Sequence, residues 1–260
     1  MNRRPIHTKI STLLITAMAF ILLLASCSKT EQSWQRIVDE GKLTIGLDPS
    51  FPPFEATDGT AVYGIDVDLA NAVAAELGLE ANFTYFGYDG LYDALLSKQV
   101  DVLISALAIF PERTRDFSYS ESYFDAGQVL ISPSDSQFEG IEDLNSQTIA
   151  VELGAEGHTL STSWQRQKPG LIIFTFNSAE DALNALNTGK VDLSVVDSIG
   201  ALLYINKKGL RANTFHVTNE PFAMVVRSDD TILLEKLNLS LGTIKESGQL
   251  DIIIDKWLGQ

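Results

Sequence analysis

Arg113 stands at the end of SALAIFPER, just past an apolar run and on a proline-fixed turn. A guanidinium so placed reads as an anion clamp, because its planar fork of donors meets a carboxylate with two bonds at once, which a lysine cannot do. Taken alone, an arginine is as readily a solvated surface cation. Four other positions, Asp48, Ala106, Glu152 and Asp197, each close a short β-rich stretch. In open α/β sheets ligands sit beyond the carboxyl ends of the strands, so these four are expected to line one cleft.

The elements that must position them alternate short β-rich runs with helical periodicity, the pattern of an α/β protein with mostly parallel strands. KLTIGL (42–47) reads as a first strand. GIDVDLANAVAAELG (64–78) reads as an amphipathic helix, with Ile65, Leu69, Val73 and Leu77 on one stripe, Asp66 and Asp68 in the first turn, and Gly78 as its stop. An internal echo follows. YDALLSKQVDVLISA (92–106) aligns without gaps on LNALNTGKVDLSVVD (183–197), sharing Ala94 with Ala185, Leu95 with Leu186, Val100 with Val191 and Asp101 with Asp192. Each copy reads as helix, tight turn, strand. LTIGLD (43–48) and TIAVEL (148–153) form a second similar pair. Two similar α/β lobes with a cleft between them are therefore expected.

Residues 1–26 contain no acid, carry Arg3, Arg4 and Lys9, and run apolar from Ile10 to Leu24 before Ala25, Ser26 and Cys27, which is the pattern of an export signal. The run is short for a membrane span, which takes about 20 apolar residues. Cys27 is the chain's only cysteine, so no disulfide forms within it. Without the leader, which holds three of the 19 basic residues and none of the 34 acids, the formal charge falls from −15 to −18. Such a chain repels nucleic acid. SKTEQS (28–33) reads as a polar tether, and the folded part begins near Trp34.

Leu24-Ala25-Ser26-Cys27 resembles the lipobox of bacterial lipoproteins, which implies cleavage before Cys27, lipid on its sulfur, and a cell-envelope protein facing the periplasm or the exterior. From Trp34 to Gln260 the chain resembles the extracellular solute-binding proteins of the polar amino-acid family, receptors of ATP-binding-cassette importers. The resemblance rests on GIDVDLANAVAAELG, the PER at Arg113, SYSESYF, VDLSVVD and the closing GQLDIIIDKWLGQ. It implies the periplasmic-binding-protein type II fold, two lobes joined by two crossing strands and closing on a ligand by a hinge. Residues 34–124 and 220–260 would form lobe 1, and 125–219 lobe 2, with crossings near 123–127 and 219–222, the second stiffened by Pro221.

Position by position, the resemblance implies that Arg113 grips an α-carboxylate with help from the amide of Ala155, and that Asp197 and the carbonyl of Ala106 accept from the α-ammonium. Phe51 and Tyr88 would wall the ligand side chain, with Asp48 and Glu152 facing its outer end. Plainer readings stand beside these. Phe51 equally suits core packing, Asp48 a turn cap, Asp197 a helix cap and Glu152 solvent. Ala108 and Ala155 replace hydroxyl residues common in the family, each removing a hydrogen bond worth about 1 kcal/mol or more at a charged group. A basic or polar amino acid is the expected ligand, an ABC permease the expected partner, and no cofactor or metal is implied. The competing classes are a dehydratase-like periplasmic enzyme on the same fold and an amino-acid sensor domain. Against the enzyme, the chain shows no nucleophile with an activating base, and His7, His158 and His216 make no metal-spaced pair. Against the sensor, the chain ends at Gln260, just after the last helix.

Overall fold

The structure, a computed structural model, describes residues 32–259. The export signal, Cys27 and most of the tether lie outside the described residues. The strands are β1 (Lys42–Leu47), β2 (Ser50–Phe51), β3 (Glu55–Thr57), β4 (Val62–Tyr63), β5 (Glu80–Tyr85), β6 (Val102–Leu103), β7 (Phe117–Asp125), β8 (Gln128–Pro133), β9 (Thr148–Glu152), β10 (Ile172–Phe176), β11 (Leu193–Asp197), β12 (Ala212–His216) and β13 (Pro221–Arg227). Two five-stranded sheets run β5-β1-β6-β13-β7 and β10-β9-β11-β8-β12, and β2, β3 and β4 make a small third sheet.

The two large sheets follow one plan. Each has three parallel strands, then a fourth antiparallel to its neighbours: β13 in the first sheet and β8 in the second. In each case the fourth strand is the one that has just entered from the other lobe. The chain therefore passes between lobes twice, between β7 and β8 and between β12 and β13. The two passages are tied together: Ala126 N donates to Glu220 O at 2.9 Å and Val217 N to Gln128 O at 2.9 Å. Gly127 is needed there, because a Cβ on it would meet Thr218 O at 2.1 Å.

The echo is reproduced bond for bond. The helices Leu91–Leu96 and Ala179–Asn187 end at Ser97 and Thr188, whose hydroxyls donate to Asp93 O and Asn184 O, both at 2.8 Å. The turns then pass through Lys98 and Gly189 at φ of 62° and 68°. Asp101 accepts the amide of Thr44 at 3.0 Å, and Asp192 that of Thr148 at 2.8 Å, fixing one turn to β1 and the other to β9.

In one respect the second half of the echo breaks. The sequence suggests a strand reaching Ala106, as its counterpart reaches Asp197. β6 stops at Leu103 instead, and Ala106 takes a positive φ of 43°. The reason is a side chain from elsewhere: Asp66 accepts the amide of Ala106 and holds the chain off the sheet.

The helix Ile65–Glu76 buries Ile65, Leu69 and Val73 against β1 and the C-terminal helices, as its periodicity predicts. Phe54 is the hub of this core, packed edge-on against Phe124 at 5.0 Å and Phe222 at 5.3 Å between ring centroids. Gly64 lets that happen. Its φ is 137°, and a Cβ would meet Phe54 O at 2.1 Å, so only glycine lets the Phe54–Glu55 segment lie against the helix start. The second lobe centres on Ile131, Ala150, Leu183, Leu186 and Val196.

Candidate functional site

Beyond the carboxyl ends of β1 and β6 lies a cavity of about 330 Å³. Asp48, Phe51, Tyr88, Ala106 and Ala108 all line it, so five of the nine ligand positions expected from the sequence meet at one place. Phe51 is 46 % exposed and Tyr88 is 51 % exposed. Both rings are exposed and line the cavity. Phe51 is nonetheless fixed by stacking on Phe54, with centroids 5.8 Å apart and 16° between planes. Tyr88 is fixed through its backbone, whose amide donates to Asp48 Oδ2 at 2.9 Å. Asp48 thus caps the turn carrying Tyr88 and itself lines the cavity.

Arg113 adjoins the cavity through Phe110, one of its lining residues. The residues Pro111–Arg113 form a single 3₁₀ turn, and the guanidinium carbon lies 5.6 Å from the Phe110 ring centre and 4.1 Å from that of Tyr92. The cation rests on two aromatic faces and joins no ion pair among the described residues. No hydrogen bond from the guanidinium is found among the described residues, so its donors are unspent.

The remaining three positions belong to the second lobe, and none lines the cavity in this structure. Glu152 ends β9, and its Oε2 accepts the amide of Ala179 at 3.1 Å. Asp197 ends β11 and caps the helix Ser198–Lys208, accepting Gly200 N at 2.7 Å. Ala155 precedes the helix Glu156–Gln167, its own amide donating to Glu152 O at 3.3 Å. The first amides of that helix have no intrahelical partner and carry partial positive charge.

Three residues of the site were not legible in the sequence. Glu55 and Ser105 line the cavity, and Asp66 lies beneath it. Ser105 Oγ donates to Glu55 Oε1 at 2.7 Å and accepts the amide of Asp48 at 3.0 Å. Glu55 is 1 % exposed. Burial, and then the neighbouring charge of Asp66, push its carboxyl well above the usual range, and burial pushes Asp66 upward too.

Two lobes on two crossings, with a cavity at the carboxyl ends of the parallel strands, define a two-lobed, type II binding protein. The family of bacterial extracellular solute-binding proteins, family 3, matches residues 43–260, and the chain belongs to it. It is 30 % identical to an ABC transporter arginine-binding protein of Escherichia coli, covering 84 % of this chain and 91 % of that protein. It is 28 % identical to the L-cystine-binding protein of the same species, covering 86 % and 85 %. Among solved structures it resembles the second substrate-binding domain of a putative amino acid ABC transporter from Streptococcus pneumoniae. There the TM-score is 0.65 and the identity 30 %, over 83 % of this chain and 99 % of that one.

Proposed function

We propose that this chain is the receptor of an ABC importer, that it captures a polar and preferably basic amino acid, and that it delivers the ligand to a permease. The observation that carries this reading is the meeting of Asp48, Phe51 and Tyr88 around one cavity with the unpaired Arg113 at its edge. Arg113 takes the α-carboxylate. The carbonyl of Ala106 takes the α-ammonium, and the cationic end of the side chain lies between the two rings and reaches Asp48.

Closure completes the site. In our reading lobe 1 comprises residues 34–124 and 220–260, and lobe 2 residues 125–219. The lobes turn about the two passages, and Asp197, Glu152 and the helix start after Ala155 then reach the ligand. Only the closed form lets both lobes touch it, so the ligand favours closure by that difference alone. Ala108 and Ala155 supply no hydroxyl, which leaves the charged groups to hold the zwitterion. A lipid on Cys27 would keep the receptor at the membrane; among the described residues no helix is long and apolar enough to cross one.

Calorimetric titration with arginine, lysine, ornithine, histidine, glutamine and cystine tests the reading. Heat from the basic members is the expected result, and silence from all twenty standard amino acids, ornithine, citrulline and cystine would refute it. The chain acts as a receptor and not as a catalyst, so prephenate and arogenate should remain intact after incubation with it.

A further inference from the structure

Beneath the cavity, Glu55 on β3 and Asp66 at the start of the helix Ile65–Glu76 lie side by side, 1 % and 0 % exposed. Taken as two carboxylates they leave two buried oxygens without a hydrogen-bond partner, Glu55 Oε2 and Asp66 Oδ1, with the hydroxyl of Tyr123 on β7 adjoining Asp66. No cation compensates them, since neither acid joins an ion pair among the described residues. The groups facing them from each packed element are neutral or acidic: Asp48 after β1, Ser105 and the Ala106 amide after β6, and Tyr123 on β7. Tyr88 and Glu220 line the same cavity. Two adjacent buried negative charges without a counter-ion are strongly unfavourable, since each ion alone loses several kcal/mol of hydration.

We propose that Glu55 and Asp66 hold one proton between them, so that Glu55 enters the ligand site as a neutral group until a ligand cation in the cavity displaces that proton. With the proton on Glu55 Oε2, that oxygen donates to Asp66 Oδ1 and both atoms gain a partner. The other oxygens are already engaged, Glu55 Oε1 by Ser105 and Asp66 Oδ2 by Ala106. Ser105 therefore links Glu55 to the backbone amide of Asp48, and the Ala106 N–H links Asp66 to the peptide joining Ser105 to Ala106, so both acids are bonded to the segments through which Asp48 and Ala106 line the cavity. A cation arriving there stabilises the doubly ionised pair and releases the proton to solvent. Binding of a cationic ligand should then tighten as pH rises. This ligand-linked step rests on the amino-acid reading above; the shared proton does not.

Two measurements on the whole chain separate them. In the infrared spectrum of the ligand-free protein at pH 7, a protonated-carboxyl C=O band should be present and should vanish in Glu55→Gln. In Ser105→Ala, which retains both acids, the band should persist at a shifted frequency. No such band in the wild type, or the same band in Glu55→Gln, would overturn the shared proton. If Glu55→Gln does not fold, the wild-type band and its shift in Ser105→Ala decide the question. With arginine as probe, calorimetry in buffers of different ionisation heat should show proton release on binding, and affinity should rise between pH 6 and 9. Binding without release would overturn the displacement step, and so would no binding of any basic amino acid, which removes the cationic ligand that the step needs and leaves the band to decide the shared proton.

Discussion

Asp125 Oδ1 accepts the amide of Glu220 at 2.8 Å and that of Gly127 at 2.9 Å, so one carboxylate at the end of β7 ties together both strands that pass between the lobes. These bonds add to the backbone ties from Ala126 N to Glu220 O and from Val217 N to Gln128 O that join the same two passages.

Asp125→Ala should therefore lower stability by about 1–2 kcal/mol, the loss of two charge-assisted bonds to amides left half-solvated. Gly127→Ala should lower it by about 1–3 kcal/mol, since its Cβ is driven into Thr218 O. Urea midpoints of both variants, read at unchanged slope, check this.

Arg113→Ala should weaken arginine binding at least about 30-fold, the effect of truncating one partner of a desolvated charge pair. The empty protein should melt almost as before, because the guanidinium touches only the faces of Tyr92 and Phe110. Calorimetry and a thermal scan on one sample read both effects; binding that survives would remove Arg113 from the carboxylate site.

Phe51→Ala and Tyr88→Ala should each reduce affinity for a basic ligand about 2- to 30-fold through loss of cation–ring contact. Affinity for a neutral polar ligand should change less. The comparison of arginine with glutamine in each variant tests whether these rings wall a cationic side chain.

The Glu55–Asp66 pair gives the pH dependence a sign. An acid whose proton is held more tightly in the folded than in the unfolded chain contributes fully below its unfolded value, near pH 4.3, and loses that contribution as pH rises toward its folded value. The difference in stability between wild type and Glu55→Gln should thus shift against the wild type on going from pH 5 to pH 9, by up to about 1.4 kcal/mol per pH unit where one proton differs. A difference that is flat across this range would contradict the raised proton affinity.

The echo yields a further test. Lys98 and Gly189 occupy the same left-handed turn, where a side chain costs about 1–2 kcal/mol per residue. Gly189→Lys should destabilise by about 1 kcal/mol, while Lys98→Gly should be neutral or stabilising, as denaturant unfolding of the two variants would show.

Much of this was written locally. Short-range patterns determined the helix–turn–strand units, because a turn that ends a helix needs only a few neighbouring residues to specify it. The same patterns put Asp48, Glu152 and Asp197 at strand ends, since sheet direction follows from strand order. Arg113 stood out by its place on a proline-fixed turn, whereas Phe51 and Tyr88 became candidates only through the family resemblance. What tertiary structure alone decided is the fate of residues that look ordinary in isolation. Asp66 reads as a first-turn acid and Glu55 carries no signal of its own, yet Gly64 lets their segments pack together and both are buried. Arg227 carries no signal in the sequence, yet it is 5 % exposed, pairs with Asp230 and donates to Leu95 O and Val100 O at 2.9 and 2.8 Å. Whether Ala106 stays in a strand depends on an acid 40 residues away. Burial and charge pairing are sums over partners distant in the chain, so the sequence could name residues that line the cavity while only the packed structure shows the buried Glu55–Asp66 pair beside it.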